Sequence, residues 1–335
     1  TRRPGRISDG RDDLEQRRPF LEQPRPAPEH HRTCHGINHL MADAPLLDPG
    51  DLRKLQRYAL AEPRAPRDRS VGERSGRRRQ EGPEFVDYRP YVPGDDPRRV
   101  DWRVYARLGD LVVRSALAES HIDVDVMIDG SRSMAGKFRW AQRLAAMLGV
   151  VALQSSDAVT VRVLADGDAS AARPSTAPQQ ILALVEEVAR LPRGTRTDLA
   201  RSLARAQRDL AGSSVPDLTV LITDLLVPRE ELDRIAAGLA RSGRSAYLAW
   251  VNEPTDLETE LSGPTELRDV ETGETLLLDV NAAEGRRYAE FAGGQRAAAE
   301  AACRRHGVGF TPASTSRTPL DLLFDPRSEI RLIAA

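Results

Sequence analysis

The chain has 335 residues, 40% hydrophobic and 30% charged, enough for a substantial core in one large domain with extensions or in two smaller ones. A formal net charge of −1 argues against bulk binding to nucleic acid or to a membrane surface, and no apolar run approaches the length that spans a bilayer. The two cysteines, Cys34 and Cys303, provide no disulfide framework and fit a reducing compartment. The Arg- and Pro-rich opening lacks the apolar stretch of a secretory signal, so a cytoplasmic location is expected.

Residues 1–40 are rich in Arg, Pro and His and lack periodicity, as expected of a disordered tail or of translated upstream sequence. Met41 reads as the natural start. Residues 48–61 predict a short helix carrying Leu52, Leu55 and Leu60. Residues 62–82 read as a mobile Arg-, Pro- and Gly-rich stretch whose Arg77-Arg78-Arg79 is a solvated charge run. Residues 84–117 hold dense turn chemistry, Pro93-Gly94-Asp95-Asp96-Pro97, followed by a short helix and a strand over 110–117. Asp95, Asp96 and Asp101 are candidates for a carboxylate cluster. Arg89, Arg98, Arg103 and Arg107 match them nearly one for one, which favours pairing and capping instead. Charge is uneven: residues 53–114 hold 16 Lys+Arg against 10 Asp+Glu, and residues 115–335 hold 25 against 31. The two parts are therefore able to attract each other or an outside partner.

From 118 onward strands and helices alternate, the pattern of a doubly wound α/β sheet. The expected order is strand 122–128, helix 137–154, strand 158–164, helices 178–190 and 198–211, strand 218–223, helix 229–241 and strand 245–251. A hairpin over 264–280, a helix over 283–306 closed by Gly307, a strand over 308–311 and a helix over 319–324 complete the chain. Three organisational parts follow: 1–40, an N-terminal extension over 41–117, and an α/β domain over 118–335 with the hairpin inserted at about 264–280.

The chemistry concentrates at Asp129-Gly130-Ser131-Arg132-Ser133, on the turn that leaves strand 122–128. One aspartate and two serines at alternate positions gather hard oxygen donors at the carboxyl end of a strand, where open α/β sheets hold ligands and where Mg²⁺ is suited. The same residues also suit a capped helix start. Gly194-Thr195-Arg196-Thr197-Asp198-Leu199 and Leu221-Ile222-Thr223-Asp224 follow in order. Together the three segments resemble the metal-ion-dependent adhesion site of von Willebrand factor A domains. The resemblance implies Asp129, Ser131, Ser133, Thr197 and Asp224 as metal residues, with Thr195 competing with Thr197, for Mg²⁺ or Mn²⁺ with one position open to a partner's carboxylate.

The resemblance extends further. Glu84-Phe85, then Arg89-x-Tyr91-x-Pro93-Gly94-Asp95-Asp96-x-Arg98-x-Val100-Asp101-Trp102, with Ala106-Arg107 and Leu267-Arg268-Asp269-x-Glu271-Thr272-Gly273-Glu274, is similar to domain of unknown function family fifty-eight. That family implies a mostly parallel, Rossmann-like sheet of von Willebrand A type. It also implies a partnership with a MoxR-type AAA+ ATPase in chaperone-like maturation, or cofactor insertion, of a client protein. No enzymatic activity is implied. A Mg²⁺- or Mn²⁺-dependent hydrolase and an oligomer-forming structural protein with a vestigial metal site are the competing expectations.

Overall fold

A computed structural model describes residues 45–60, 86–93, 97–116, 121–165, 170–172, 174–194, 197–209, 215–257, 261, 263–269 and 274–334. The expectations for 1–40, for 62–82 and for Gly94-Asp95-Asp96 lie outside these residues. The chain forms two compact units, one of Thr1–Arg64 with Ile122–Ala335, the other of Ala65–His121.

Helix α1 (Pro49–Leu55) starts on a side-chain cap: Asp51 N donates to Asp48 Oδ1 at 2.7 Å, and Pro49 takes the first helical position. The helix expected over 48–61 stops at Leu55. Tyr58–Leu60 instead form strand β1, antiparallel to Leu332–Ala334 at the far end of the chain. A pairing partner supplied by tertiary structure overrides a weak helical periodicity here. Leu46, Leu47, Leu55 and Leu60 are buried in the core of the α/β unit.

In the second unit, strands β2 (Val86–Pro90) and β3 (Val112–Ala116) form an antiparallel ribbon. Between them lies helix α2 (Trp102–Leu108). Asp101 is its cap, its Oδ1 accepting from Arg103 N at 3.0 Å, and Gly109 ends it at φ 74°, a left-handed position that suits glycine. Asp101 thus serves the turn, in line with the capping expectation. Trp102 and Tyr105 are exposed and meet edge to face at 6.2 Å.

The first unit continues as β4 (Asp123–Asp129), α3 (Phe138–Gln154), β5 (Ala158–Leu164), β6 (Ser170–Ala171), α4 (Ile181–Arg190), α5 (Leu199–Asp209), β7 (Leu218–Thr223), α6 (Arg229–Ser242) and β8 (Ser245–Asn252). It ends with β9 (Gly263–Arg268), β10 (Thr275–Val280), α7 (Ala282–Arg305), β11 (Gly309–Ser314), α8 (Pro319–Phe324) and β12 (Leu332–Ala334). The main sheet runs β11-β8-β7-β4-β5-β6, parallel throughout except for β6. This is the doubly wound α/β sheet expected. β9 and β10 form the expected hairpin apart from it. Leu276, Leu277 and Leu278 of β10 are exposed.

Both faces of β4 are covered, so Val124, Val126, Met127 and Ile128 are all buried, and the buried Asp125 between them is met by Arg162 at 2.9 Å. Val124, Val126 and Ile128 pack under α3 and α4, whereas Met127 packs with α5 and α6. Helix α3 is apolar nearly all round and is buried along most of its length. Its Gln142 donates to Val188 O at 2.8 Å and Leu191 O at 3.2 Å, carbonyls at and just past the end of α4. Gly149 lets α4 approach: a Cβ there would sit 2.6 Å from Leu184 Cδ2.

Candidate metal and ligand site

β4 is the point where the winding reverses. The chain runs from β4 to β5 on one side and returns to β7 on the other. A crevice at the carboxyl ends of β4 and its neighbours is where such sheets bind ligands. The buried Asp129 closes β4, and its two oxygens have separate tasks. Oδ1 accepts from Ser131 N at 2.9 Å, which turns the chain, and Oδ2 accepts from Thr223 Oγ1 at 2.7 Å. Burial, then the charge of Asp224, holds the Asp129 carboxyl above the usual carboxylate range against the pull of these bonds.

Ser131 Oγ and Ser133 Oγ lie 3.0 Å apart, and Ser133 Oγ donates to Asp224 Oδ1 at 3.3 Å. Asp224 follows β7 directly. Leu226 N donates to its Oδ1 at 3.2 Å, and Trp250 Nε1 of β8 donates to its carbonyl at 2.9 Å. The next residue, Leu225, is buried with φ 50°, a conformation a branched apolar side chain rarely adopts. Its N–H donates to Thr223 Oγ1 at 3.0 Å. Thr223 is therefore bonded to both Asp129 and the strained residue after Asp224.

The glycines make the approach possible. A Cβ on Gly130 would meet Leu164 O at 2.7 Å and Gly194 N at 3.1 Å, so the β4 turn and the segment before α5 lie against each other. Thr197 stands on that segment. Its hydroxyl donates to Leu164 O at 3.1 Å, the carbonyl that also accepts Gly130 N at 2.8 Å. Asp129, Ser131, Ser133 and Asp224 are thus joined by short polar contacts, and Thr197 is tied to the same turn through one shared carbonyl. Thr195 lies outside the described residues. Arg193 Nη1 donates to Ser131 O at 3.2 Å and steadies the turn from outside.

The sequence reading missed three residues: Thr223, Lys137 and Asp256. Lys137 is only 3% exposed, and its Nζ lies 2.8 Å from Asp224 Oδ2 and 2.9 Å from Asp256 Oδ2. Burial lowers the affinity of this amine for its proton. Asp224 and then Asp256 raise it by more, so the ammonium is held above its ordinary range. Asp256 Oδ2 also accepts from Glu253 N at 2.8 Å, and Tyr288 of α7 donates to Asp256 O at 2.9 Å. One signal was available: of 49 Lys+Arg, only Lys54 and Lys137 are lysine.

The donor set fits a small hard cation. Oxygens at adjacent corners of a Mg²⁺ octahedron, with bonds of 2.0–2.1 Å, lie about 2.9 Å apart. The Ser131–Ser133 and Ser133–Asp224 separations are close to that. Among the described residues no three His, Cys, Asp or Glu side chains gather as a metal cage, so any cation here depends on the hydroxyls.

A parallel sheet β11-β8-β7-β4-β5 with Asp-x-Ser-x-Ser starting at the end of β4, and Thr-Asp at the end of the neighbouring β7, is an α/β arrangement of von Willebrand factor A type. The family model described as "Protein of unknown function DUF58" matches residues 87–299, and the chain belongs to that family. Uncharacterized protein Rv1480 of Mycobacterium tuberculosis and Uncharacterized protein Mb1516 of Mycobacterium bovis are each 27% identical over 253 residues, covering 73% of this chain and 77% of their own. Among solved structures, BatB from Bacteroides thetaiotaomicron overlaps 58% of this chain and 92% of its own, at 13% identity and a TM-score of 0.34. The SpRpn10 VWA domain overlaps 64% and 100%, at 11% identity and a TM-score of 0.35. No helix among the described residues is long and apolar enough to cross a membrane.

Proposed function

We propose that this chain is a protein-binding module whose binding face centres on Mg²⁺ or Mn²⁺ held at Ser131, Ser133 and Asp224, with Asp129 and Thr197 behind them. The observation that carries this is the run of oxygens at octahedral spacing on the carboxyl edge of β4 and β7. When bound, such an ion offers an open coordination position to an acidic side chain of a partner. The chain's own residues prepare the place. Asp129 fixes the Ser131 backbone, Thr223 fixes Asp129, and Leu226 N and Ser133 Oγ hold Asp224 Oδ1 toward the edge.

The family resemblance supports a MoxR-type AAA+ ATPase as the partner. The ATPase would supply energy, and this module would recognise a client undergoing maturation or cofactor insertion. The test is calorimetric titration of Mg²⁺ and Mn²⁺ into the chain and its Ser133→Ala variant, followed by capture of the ATPase with and without EDTA. Saturable one-site binding that Ser133→Ala loses, with capture lost in EDTA, is the expected result. Equal heats from both proteins, or capture indifferent to EDTA, overturns the proposal.

A further inference from the structure

Lys137 is a cation already installed at the site. The side chain is buried, its ammonium is shared between two carboxylates, and Asp224 is left with one oxygen engaged and the other facing Ser133. The chain elsewhere uses arginine almost without exception, yet keeps lysine here. Geometry accounts for that choice. A compact ammonium can sit between two carboxylate oxygens at 2.8 and 2.9 Å, whereas a planar guanidinium needs a wider, fork-shaped gap. Close packing fixes the position further: a Cβ on the preceding Gly136 would fall onto the Glu253 carboxylate, beside the turn that carries Asp256. From Asp256 the connection runs through its carbonyl to Tyr288 on α7.

We propose that Lys137 is the internal counter-cation of this site: it competes with a divalent ion for the charge of Asp224, and it holds the binding edge in shape when no ion is present. The proposal rests on the metal-site reading above. It follows that the two non-ligand residues of the bridge set metal affinity in opposite directions. Removing the ammonium leaves Asp224 and Asp256 uncompensated and draws a divalent ion in. Removing the Asp256 charge leaves the ammonium to Asp224 alone and drives the ion off.

The experiment titrates Mn²⁺ into the full chain, Lys137→Met and Asp256→Asn, and records thermal unfolding of each in EDTA and in Mn²⁺. Lys137→Met is expected to bind Mn²⁺ at least tenfold more tightly than the unaltered chain. It should melt lower in EDTA and recover most of that loss on adding Mn²⁺. Asp256→Asn is expected to bind at least threefold more weakly. Lys137→Met binding no tighter while the unaltered chain binds overturns the counter-cation role and leaves the metal site standing. No binding by any of the three proteins overturns both. Because Asp256→Asn retains the buried lysine with one partner, its result stands even if Lys137→Met fails to fold.

Discussion

Thr223→Val isolates the hydroxyl that joins the two halves of the site. Thr223 is fully buried, and valine keeps its shape while deleting the oxygen. Two partners are then stranded in the interior: Asp129 Oδ2, which loses its 2.7 Å donor, and Leu225 N, which loses its 3.0 Å acceptor. A buried polar group left without a partner costs about 1–3 kcal/mol, so the pair should cost about 2–6 kcal/mol. Leu225 adds to the upper end, because that N–H bond helps hold it at φ 50°. The assay is urea unfolding at equilibrium, read as a lower midpoint with an unchanged slope. Ser131→Ala is the control. Its hydroxyl meets another hydroxyl at 3.0 Å, and its loss should cost less than about 1.5 kcal/mol. If Thr223→Val costs less than about 0.5 kcal/mol, the claim that Thr223 organises the site is wrong.

Three further outcomes are expected. Asp125 is buried beside Arg162 at 2.9 Å, and burial pushes its carboxyl from 3.8 up to about 6. The folded state then keeps a proton that the unfolded chain releases near pH 4. Stability should therefore fall by roughly 3 kcal/mol as pH rises from about 4 to about 6, and Asp125→Asn should flatten that slope in urea titrations across this range. Leu55→Ala should cost about 2–5 kcal/mol by denaturant unfolding, since Leu55 is fully buried in the α/β core; a negligible loss would show that residues 45–60 are not integral to it. Gly149→Ala should cost about 1–3 kcal/mol and lower the melting temperature, because its methyl group meets the buried Leu184; an unchanged melt would mean α4 is free to shift away.

The alternation of strands and helices was legible because each segment answers to a local rule. β4 reads as a strand buried on both faces, and α5 opens where Asp198 accepts from Arg201 N at 3.0 Å. The meeting of Asp129, Ser131, Ser133 and Asp224 was legible for a related reason. All four lie at or just beyond strand ends, and adjacent parallel strands bring such ends together. What escaped depends on partners distant in sequence. Tyr58–Leu60 becomes a strand only because residues 332–334 lie beside it. Lys137 reads as an ordinary basic residue before a helix until β7 and the turn after β8 bring Asp224 and Asp256 to it. Thr223 stood inside the recognised Thr-Asp pair, but its hydroxyl acquires a task only when β7 is placed beside β4.

The pairing of β1 with β12 sets an order of events during synthesis. Among the described strands β1 is the first to leave the ribosome, and it waits for the last. Until Leu332–Ala334 arrive, the antiparallel partner of β1 does not exist, and the Ile330 and Leu332 side chains of the shared core are missing. The nascent chain must therefore hold a short apolar strand unpaired while the sheet assembles behind it, a closure of high contact order that belongs among the final steps of folding. A nascent chain whose residues 332–334 have not yet emerged would thus present β1 without its partner, a state that pulsed protease cleavage near residues 56–60 would detect.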